Sequence, residues 1–381
     1  MAKRKQTKKF PTLYKNMSNG MTQQWDIQVK MNSDNLPEII CTHGVVDGKQ
    51  VKEVKLISSG KNIGKANETT PWEQAVSEAQ STWTKKKDKG YRETQGSDDI
   101  LILPMLAREY SKAKHRIIMP CHVQPKLNGV RCISSLNKSE ASMMSRGGKP
   151  ILKFAHLREE IKSLLESANQ KGLHLDGEIY KPGMSLQKIS GATRKEKDDL
   201  RTEIDSVMEY HVYDCFNPGR QEWAFADRTE FLNKLVNAAK LSHVKFVTTI
   251  QVKSEGAALN QYKKWVAQGF EGIMFRNADA PYKIGSRSMD LQKHKPFVDS
   301  EFVIVGAHEG SGNDAGTVVW ECITKKKKVF SVKPEGDRAT RRDYWDNWKQ
   351  YVGKELTVKY QELSDDGVPI FPVGVVIRDY E

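Results

Sequence analysis

Lys126-Leu127-Asn128-Gly129-Val130-Arg131 is the stretch on which the reading of this chain turns. It sets a lysine just ahead of an Asn-Gly pair and places an arginine after the pair. Alone it proves little, because Lys before Asn-Gly is also an ordinary hairpin turn. Its weight comes from the ordered series of motifs downstream of it: Ser145-Arg146-Gly147, Asp176-Gly177-Glu178, Tyr213-Asp214, Glu271-Gly272 and Lys293-His294-Lys295. Phe371-Pro372 and Arg378-Asp379 stand near the end of the chain.

Each of these residues has a chemistry of its own. A lysine amine attacks phosphorus only when neutral, and with a free pKa of about 10.4 only about 0.04% is neutral at pH 7. A nucleophilic Lys126 therefore needs a site that withdraws its proton, and Arg131, Lys293 and Lys295 are cations that could do so. Lys293 and Lys295 flank His294, so in a strand both point to one face and imply an anion between them. Planar guanidinium groups such as those of Arg131 and Arg146 suit two-pronged phosphate contacts. Asp176 is read as holding a turn. The histidines form no triad or metal spacing.

The ordered set resembles the covalent nucleotidyltransferases and, within them, the ATP-dependent DNA ligases, over residues 100–381. The resemblance implies that Lys126 attacks the α-phosphate of ATP, releases pyrophosphate and becomes a lysyl-adenylate. It implies that Arg131 and Arg146 lie against the ribose and the nick 5′-phosphate, and that Lys293 and Lys295 face the α-phosphate. Gln124 would read the adenine amino group and Tyr213 would stack on the adenine, with a core tyrosine as the competing reading of Tyr213. Glu178 would serve the ribose and metal, and Glu271 the metal, because two carboxylates on one phosphate site repel unless a cation such as Mg²⁺ joins them. Arg378 would orient the leaving pyrophosphate when a C-terminal barrel closes over the site. Two departures stand out: Asn128 occupies the place of the family's usual Asp, and the lysine expected after Arg-x-Asp is missing.

Composition agrees with a nucleic-acid partner. The net charge is +13, with 61 basic residues against 48 acidic ones in 381. Such a surplus favours polyanions, since each lysine or arginine set on a phosphate releases a counterion. Lys3-Arg4-Lys5 with Lys8-Lys9 reads as a disordered basic arm, and the lysines at 325–328 as a solvated hairpin tip. Five scattered cysteines without a Cys-x-x-Cys pair fit reduced thiols and argue against zinc. No apolar run approaches a membrane span and no signal peptide opens the chain, so a soluble, cytoplasmic protein is expected (the host-cell interior if viral).

Three regions separate. Residues 1–95 combine strand-like runs at 25–29 and 38–42 with a helix over 72–87, before a polar linker over 87–99. This unit resembles a WGR-type DNA-binding domain through Leu13-Tyr14-Lys15, Gly44-Val45-Val46-Asp47-Gly48-Lys49 and Lys89-Gly90-Tyr91, although no Trp-Gly-Arg occurs. Residues 96–297 alternate strands, one of them expected over 244–252, with helices over 157–165, 229–241 and 257–267. Residues 298–381 are β-rich around one helix near 338–351, which suits an OB-type barrel. The expected fold is thus α+β: an adenylation domain and C-terminal OB barrel behind a small WGR-like domain.

The leading functional reading is an ATP- and Mg²⁺-dependent ligase that seals nicks in duplex DNA, acting as a monomer. An RNA-strand ligase, favoured by Asn128, and an mRNA-capping guanylyltransferase are the enzymatic alternatives. A noncatalytic DNA-end-binding protein is the alternative outside enzymes.

Overall fold

The computed structural model describes residues 6–17, 20–95, 102–194 and 203–378. It divides into two compact units, residues 1–103 with 146–149, and residues 104–145 with 150–381. No helix among the described residues is long and apolar enough to cross a membrane.

The first unit is an antiparallel sheet packed on one helix. The long strand Thr22–Met31 alternates, burying Trp25, Ile27 and Val29 on one face. It pairs with Pro37–Val45, which pairs in turn with Gln50–Leu56, while Leu13–Asn16 joins its other edge. The helix Pro71–Asp88 starts on a Thr70–Glu73 capping box with Pro71 in its first turn. Its small buried residues Ala75 and Ala79 let it close on the sheet. Lys8 and Lys9 correct the expectation of a disordered arm: Thr7–Lys9 is a strand paired with Gln28–Lys30. Lys3-Arg4-Lys5 lies outside the described residues.

The second unit begins with two five-stranded sheets. One contains Val130–Asn137, Glu140–Ser145, His174–Tyr180, Glu209–Phe216 and Val244–Phe246. The helices Ala155–Ser167 and Phe225–Ala239 cover it through Leu157, Ile161, Leu164, Leu232 and Val236. The other contains Leu106–Glu109, Cys121–Lys126, Ile250–Val252, Gly272–Asn277 and Arg287–His294. The helix Glu255–Ala267 packs on it through Ala258 and Trp265. The expected single strand over 244–252 is corrected: its halves join different sheets, and residues 247–249 carry the chain across.

A buried ion network ties the sheets together. Asp214, on the first sheet, accepts from Arg228 Nε at 2.8 Å and Nη2 at 3.2 Å, and from Arg276 Nη1 of the second sheet at 2.6 Å. Arg276 also donates through Nε to Gln124 Oε1 at 2.8 Å. Burial by itself opposes the charged form of Asp214, but the two guanidinium groups outweigh it and hold the carboxyl below its ordinary range.

The strands Val298–Glu309, Val318–Ile323, Val329–Pro334, Glu355–Tyr360 and Val373–Arg378 close an OB-type barrel around Ile304, Trp320, Val332 and Val358. The lysines at 325–328 form the turn between its second and third strands.

Asp214→Asn should leave two buried guanidinium groups under-neutralised. The expected loss is about 3–5 kcal/mol of unfolding free energy, measured by urea denaturation. A loss below about 1 kcal/mol would mean that the sheets are held together by apolar packing alone.

Candidate active site

The Lys126 stretch is not a hairpin. The strand that ends at Lys126 and the strand that begins at Val130 belong to different sheets, so Leu127, Asn128 and Gly129 are a bridge between them. Gly129 is required by close approach: a Cβ there would lie 2.4 Å from the Ile179 carbonyl oxygen and 2.8 Å from Glu178 Cγ. Its N–H donates to Glu178 Oε1 at 3.0 Å, pinning the bridge to the strand His174–Tyr180.

Strand register delivers the remaining charges. Lys126 pairs with Gly272 across the second sheet, and the Glu271 N–H donates to the Lys126 carbonyl at 3.0 Å. The Lys126 ammonium consequently forms an ion pair with Glu271 Oε2. His294 pairs with Ile273, which brings the next residue, Lys295, to Glu271 Oε1 at 2.8 Å. One carboxylate therefore holds two ammonium groups.

Arg131, beside Glu178 in the neighbouring strand, donates to both Asp176 oxygens at 2.9 and 2.5 Å. Tyr282 donates to the same carboxylate at 2.7 Å. Asp176 thus positions Arg131 and does more than hold a turn, which corrects its sequence reading. It stands two residues before Glu178 in one strand, so both side chains share a face, and that spacing was the available signal. The Tyr213 ring has two cations near it, the Arg131 guanidinium at 5.7 Å and that of Arg276 at 5.6 Å.

Burial raises the Glu178 carboxyl to about 7; Lys126, the Gly129 N–H and Arg131 oppose the rise, and Glu271 adds to it. Burial also acts to raise Glu271, but Lys126 and Lys295 outweigh it and hold that carboxyl below its ordinary range. Lys295 is lowered, first by burial and then, against the pull of Glu271, by Lys126 and Lys293. Glu178 is thus a carboxyl short of positive charge, the condition that a divalent cation relieves. No cluster of three or more His, Cys, Asp or Glu side chains is set for a metal among the described residues. Glu178 and Glu271 would still fit Mg²⁺, which takes as few as one or two protein carboxylates.

The other candidates are placed less centrally. Lys293 is paired with Glu109 at 2.9 Å. Gln124 is corrected: it is 1% exposed, and its amide donates to the Tyr213 carbonyl and Thr249 Oγ1, both at 2.8 Å, while its oxygen accepts from Arg276. It is a strut between the sheets and not a free reader of a base. Arg146 is exposed and falls in the short segment grouped with the first unit. Arg378 is held on the barrel, donating to Thr357 Oγ1 at 2.8 Å with Glu301 3.6 Å away, and its neighbour Asp379 lies outside the described residues.

Barrel residues that no motif marked also reach the site. Asn128 Nδ2 donates to both oxygens of Glu362 at 3.1 Å, and Lys295 donates to Gln361. Asp365 accepts from Ser185 Oγ, and its N–H donates to Gln187 Oε1, both at 3.1 Å. An aspartate at position 128 would set a second negative charge against Glu362, whereas asparagine offers two amide hydrogens.

A Glu178 carboxyl raised from the ordinary 4.5 to about 7 makes the folded chain bind more protons than the unfolded one between those values. Its stabilising contribution is complete below the lower value and is lost as pH rises through the upper one. Glu178→Gln should therefore gain about 3 kcal/mol over the native chain at pH 8 and little at pH 4.5, read from urea unfolding. Parallel pH profiles would refute the burial-driven shift.

The model for the ATP dependent DNA ligase domain matches residues 104–295, just over half of the chain. A DNA ligase of African swine fever virus (isolate Warthog/Namibia/Wart80/1980) is 29% identical over 368 residues, covering 91% of this chain and 85% of that protein. The DNA ligase of Enterobacteria phage T4 is 25% identical over 334 residues, covering 72% of this chain and 68% of that protein. Among solved structures, one described as a Lig E DNA ligase superposes with a TM-score of 0.59 at 21% identity, over 73% of this chain and all of that one. The chain named Pmar-Lig_PreS3 gives a TM-score of 0.64 at 21% identity, over 72% of this chain and 67% of that one. These two likenesses are of fold. With its adenylation-domain residues matched as a block and its two sheets and barrel built as described, the chain belongs to the ATP-dependent DNA ligase family.

Proposed function

We propose that this ATP-dependent DNA ligase seals 5′-phosphate/3′-hydroxyl nicks in duplex DNA, and that Lys126 carries the nucleotide. The observation that supports the assignment is the single Glu271 carboxylate shared by Lys126 and Lys295. Two ammonium groups on one carboxylate leave positive charge for an incoming phosphate, and Lys126 is the one at the end of its strand, against the bridge between the sheets.

In the first step the Lys126 Nζ–P bond forms as the Pα–O bond to pyrophosphate breaks. Lys126 must leave Glu271 and lose a proton to solvent beforehand, because an ion-paired ammonium has no lone pair to offer. Lys295, with Lys293 beside it, is placed to take negative charge developing on the α-phosphate. Glu178 and Glu271 would hold Mg²⁺, which supplies charge neutralisation at the phosphate oxygens. Arg131, fixed by Asp176, serves the ribose, Tyr213 the adenine, and Arg146 the nick 5′-phosphate. AMP then passes to the DNA 5′-phosphate, and the 3′-hydroxyl displaces it.

The Asn128–Glu362 contact gives Asn128 an employment unrelated to strand chemistry, so its presence no longer favours an RNA substrate. The reading keeps the divisions 1–95, 96–297 and 298–381 as front module, adenylation domain and barrel. It also takes the enzyme to act as a monomer inside the cell.

Lys126→Ala should abolish the covalent AMP adduct seen by intact-mass measurement after incubation with ATP and Mg²⁺, while nick binding stays within about threefold. Persistent labelling would overturn the nucleophile assignment. Arg378→Ala should slow self-adenylation at least about tenfold more than it slows sealing of pre-adenylated nicks, an excess of about 1.4 kcal/mol in barrier. Equal losses in the two assays would contradict a role confined to the first step.

A further inference from the structure

The C-terminal end of the helix Pro71–Asp88 carries lysines that the nucleotidyl-transfer chemistry does not use. Lys86 Nζ lies 5.1 Å from the Trp25 ring and 4.7 Å from the Tyr91 ring. Lys15 approaches the same Tyr91 ring at 5.7 Å and donates to the Lys89 carbonyl at 2.8 Å. The platform beneath them is fixed: Trp25 and Tyr91 are 2% and 7% exposed, and the Tyr91 hydroxyl donates to Gln23 Oε1 at 2.5 Å.

Cations gathered in this way repel one another. Helix-end carbonyls and aromatic faces offset part of that repulsion, each by about 1 kcal/mol or less at an exposed site. The remainder is visible in Lys86, whose ammonium is held below the ordinary lysine range by burial first and then by Lys89, with Lys15 adding to the effect. Cys41 and Glu53 act in the opposite direction and do not cancel it. Elsewhere in the same unit lysines make direct ion pairs with carboxylates, Lys55 and Lys61 with Glu78 and Lys87 with Glu93. Among the described residues, Lys15, Lys86 and Lys89 make no ion pair with a carboxylate.

We propose that Lys15, Lys86 and Lys89 form a docking surface for the phosphodiester backbone of the duplex flanking the nick. The proposal rests on DNA being the substrate and deepens that reading by giving the front module a specific contact. Lysines are compact point charges on flexible stems, suited to a backbone held without regard to sequence. The Trp25 and Tyr91 rings below hold the Lys15 and Lys86 side chains in place. Each phosphate neutralised would release counterions, so the surface contributes affinity that declines steeply with salt.

The test uses the full chain carrying Lys15→Gln, Lys86→Gln and Lys89→Gln together. Binding to a nicked duplex is measured as a function of salt, with self-adenylation monitored in parallel. The slope of log affinity against log salt should fall by about 2–3, at about 0.9 per lost contact. Affinity at low salt should drop at least about tenfold, while the self-adenylation rate stays within about twofold. The pair Lys55→Gln with Lys61→Gln, which share the Glu78 carboxylate, should lower the slope by less per residue than the triple variant. The triple Lys→Arg variant should retain it, which separates loss of charge from loss of fold. An unchanged slope in the triple Gln variant, or an equal loss per residue in the Lys55/Lys61 pair, would overturn the proposal. So would competition by polyglutamate as effective, per charge, as competition by duplex, since that would mark an acidic protein as the partner. Failure of the native chain to self-adenylate would instead count against the ligase reading and leave this contact to be judged on binding alone.

Discussion

The rest of the site depends on the Glu271 carboxylate and its two ammonium partners. Glu271 lies where the second sheet presents the end of one strand to the start of another, so a register shift of one residue would separate it from Lys126. The same register carries Lys295 past the end of its strand to the other oxygen. A carboxylate held below its ordinary range by two cations is a poor proton acceptor but a good anchor. It keeps the Lys126 amine in place against the bridge between the sheets.

Such an arrangement needs a rigid frame, and the frame is itself built of buried charge. Asp214, Arg228 and Arg276 are almost without solvent, and Gln124 completes their network between the sheets. A network of this kind adds little net stability over well-packed apolar residues, yet it penalises any other alignment by leaving a charge unpaired. The Arg131–Asp176 pair is built in the same way. Glu178 is the exception: half-buried, near Lys126, Arg131 and Glu271 and accepting from one backbone N–H, it is raised to about 7. The frame is satisfied and the site is not, and that imbalance leaves the site able to gain from a ligand.

The sequence exposed this unevenly. That Lys126, Arg131, Glu178, Glu271 and Lys295 gather in one charged cluster was legible because their residue types and their order along the chain are distinctive. The helix Pro71–Asp88 was legible from the four-residue spacing of Ala75, Ala79 and Trp83 after a threonine–proline pair, both local signals. What escaped was non-local. An apolar run over 244–252 looks the same whether its halves share a sheet or divide between two. Gln124 resembled a base reader because its employment is set by Arg276 and Thr249, more than a hundred residues away. Lys8 and Lys9 looked like a solvated arm because the strand that pairs with them lies beyond the next turn of the chain.

Gln361 and Glu362 show the same limit, and they also account for the departure at Asn128. A loop of the barrel carries no motif, since its role is defined by what it meets when the barrel is docked. Here it meets Asn128 and Lys295 at one point and Ser185 with Gln187 at another. With aspartate at 128, the first of these contacts would oppose two carboxylates a hydrogen-bond length apart, and docking would require a proton or a cation to neutralise them. Asparagine removes that requirement and lets the barrel loop settle against position 128 through neutral-to-charged hydrogen bonds. The substitution at 128 and the glutamate at 362 are thus two halves of one solution. Neither half is intelligible from the nucleophile's own neighbourhood, because the other lies 234 residues further along the chain.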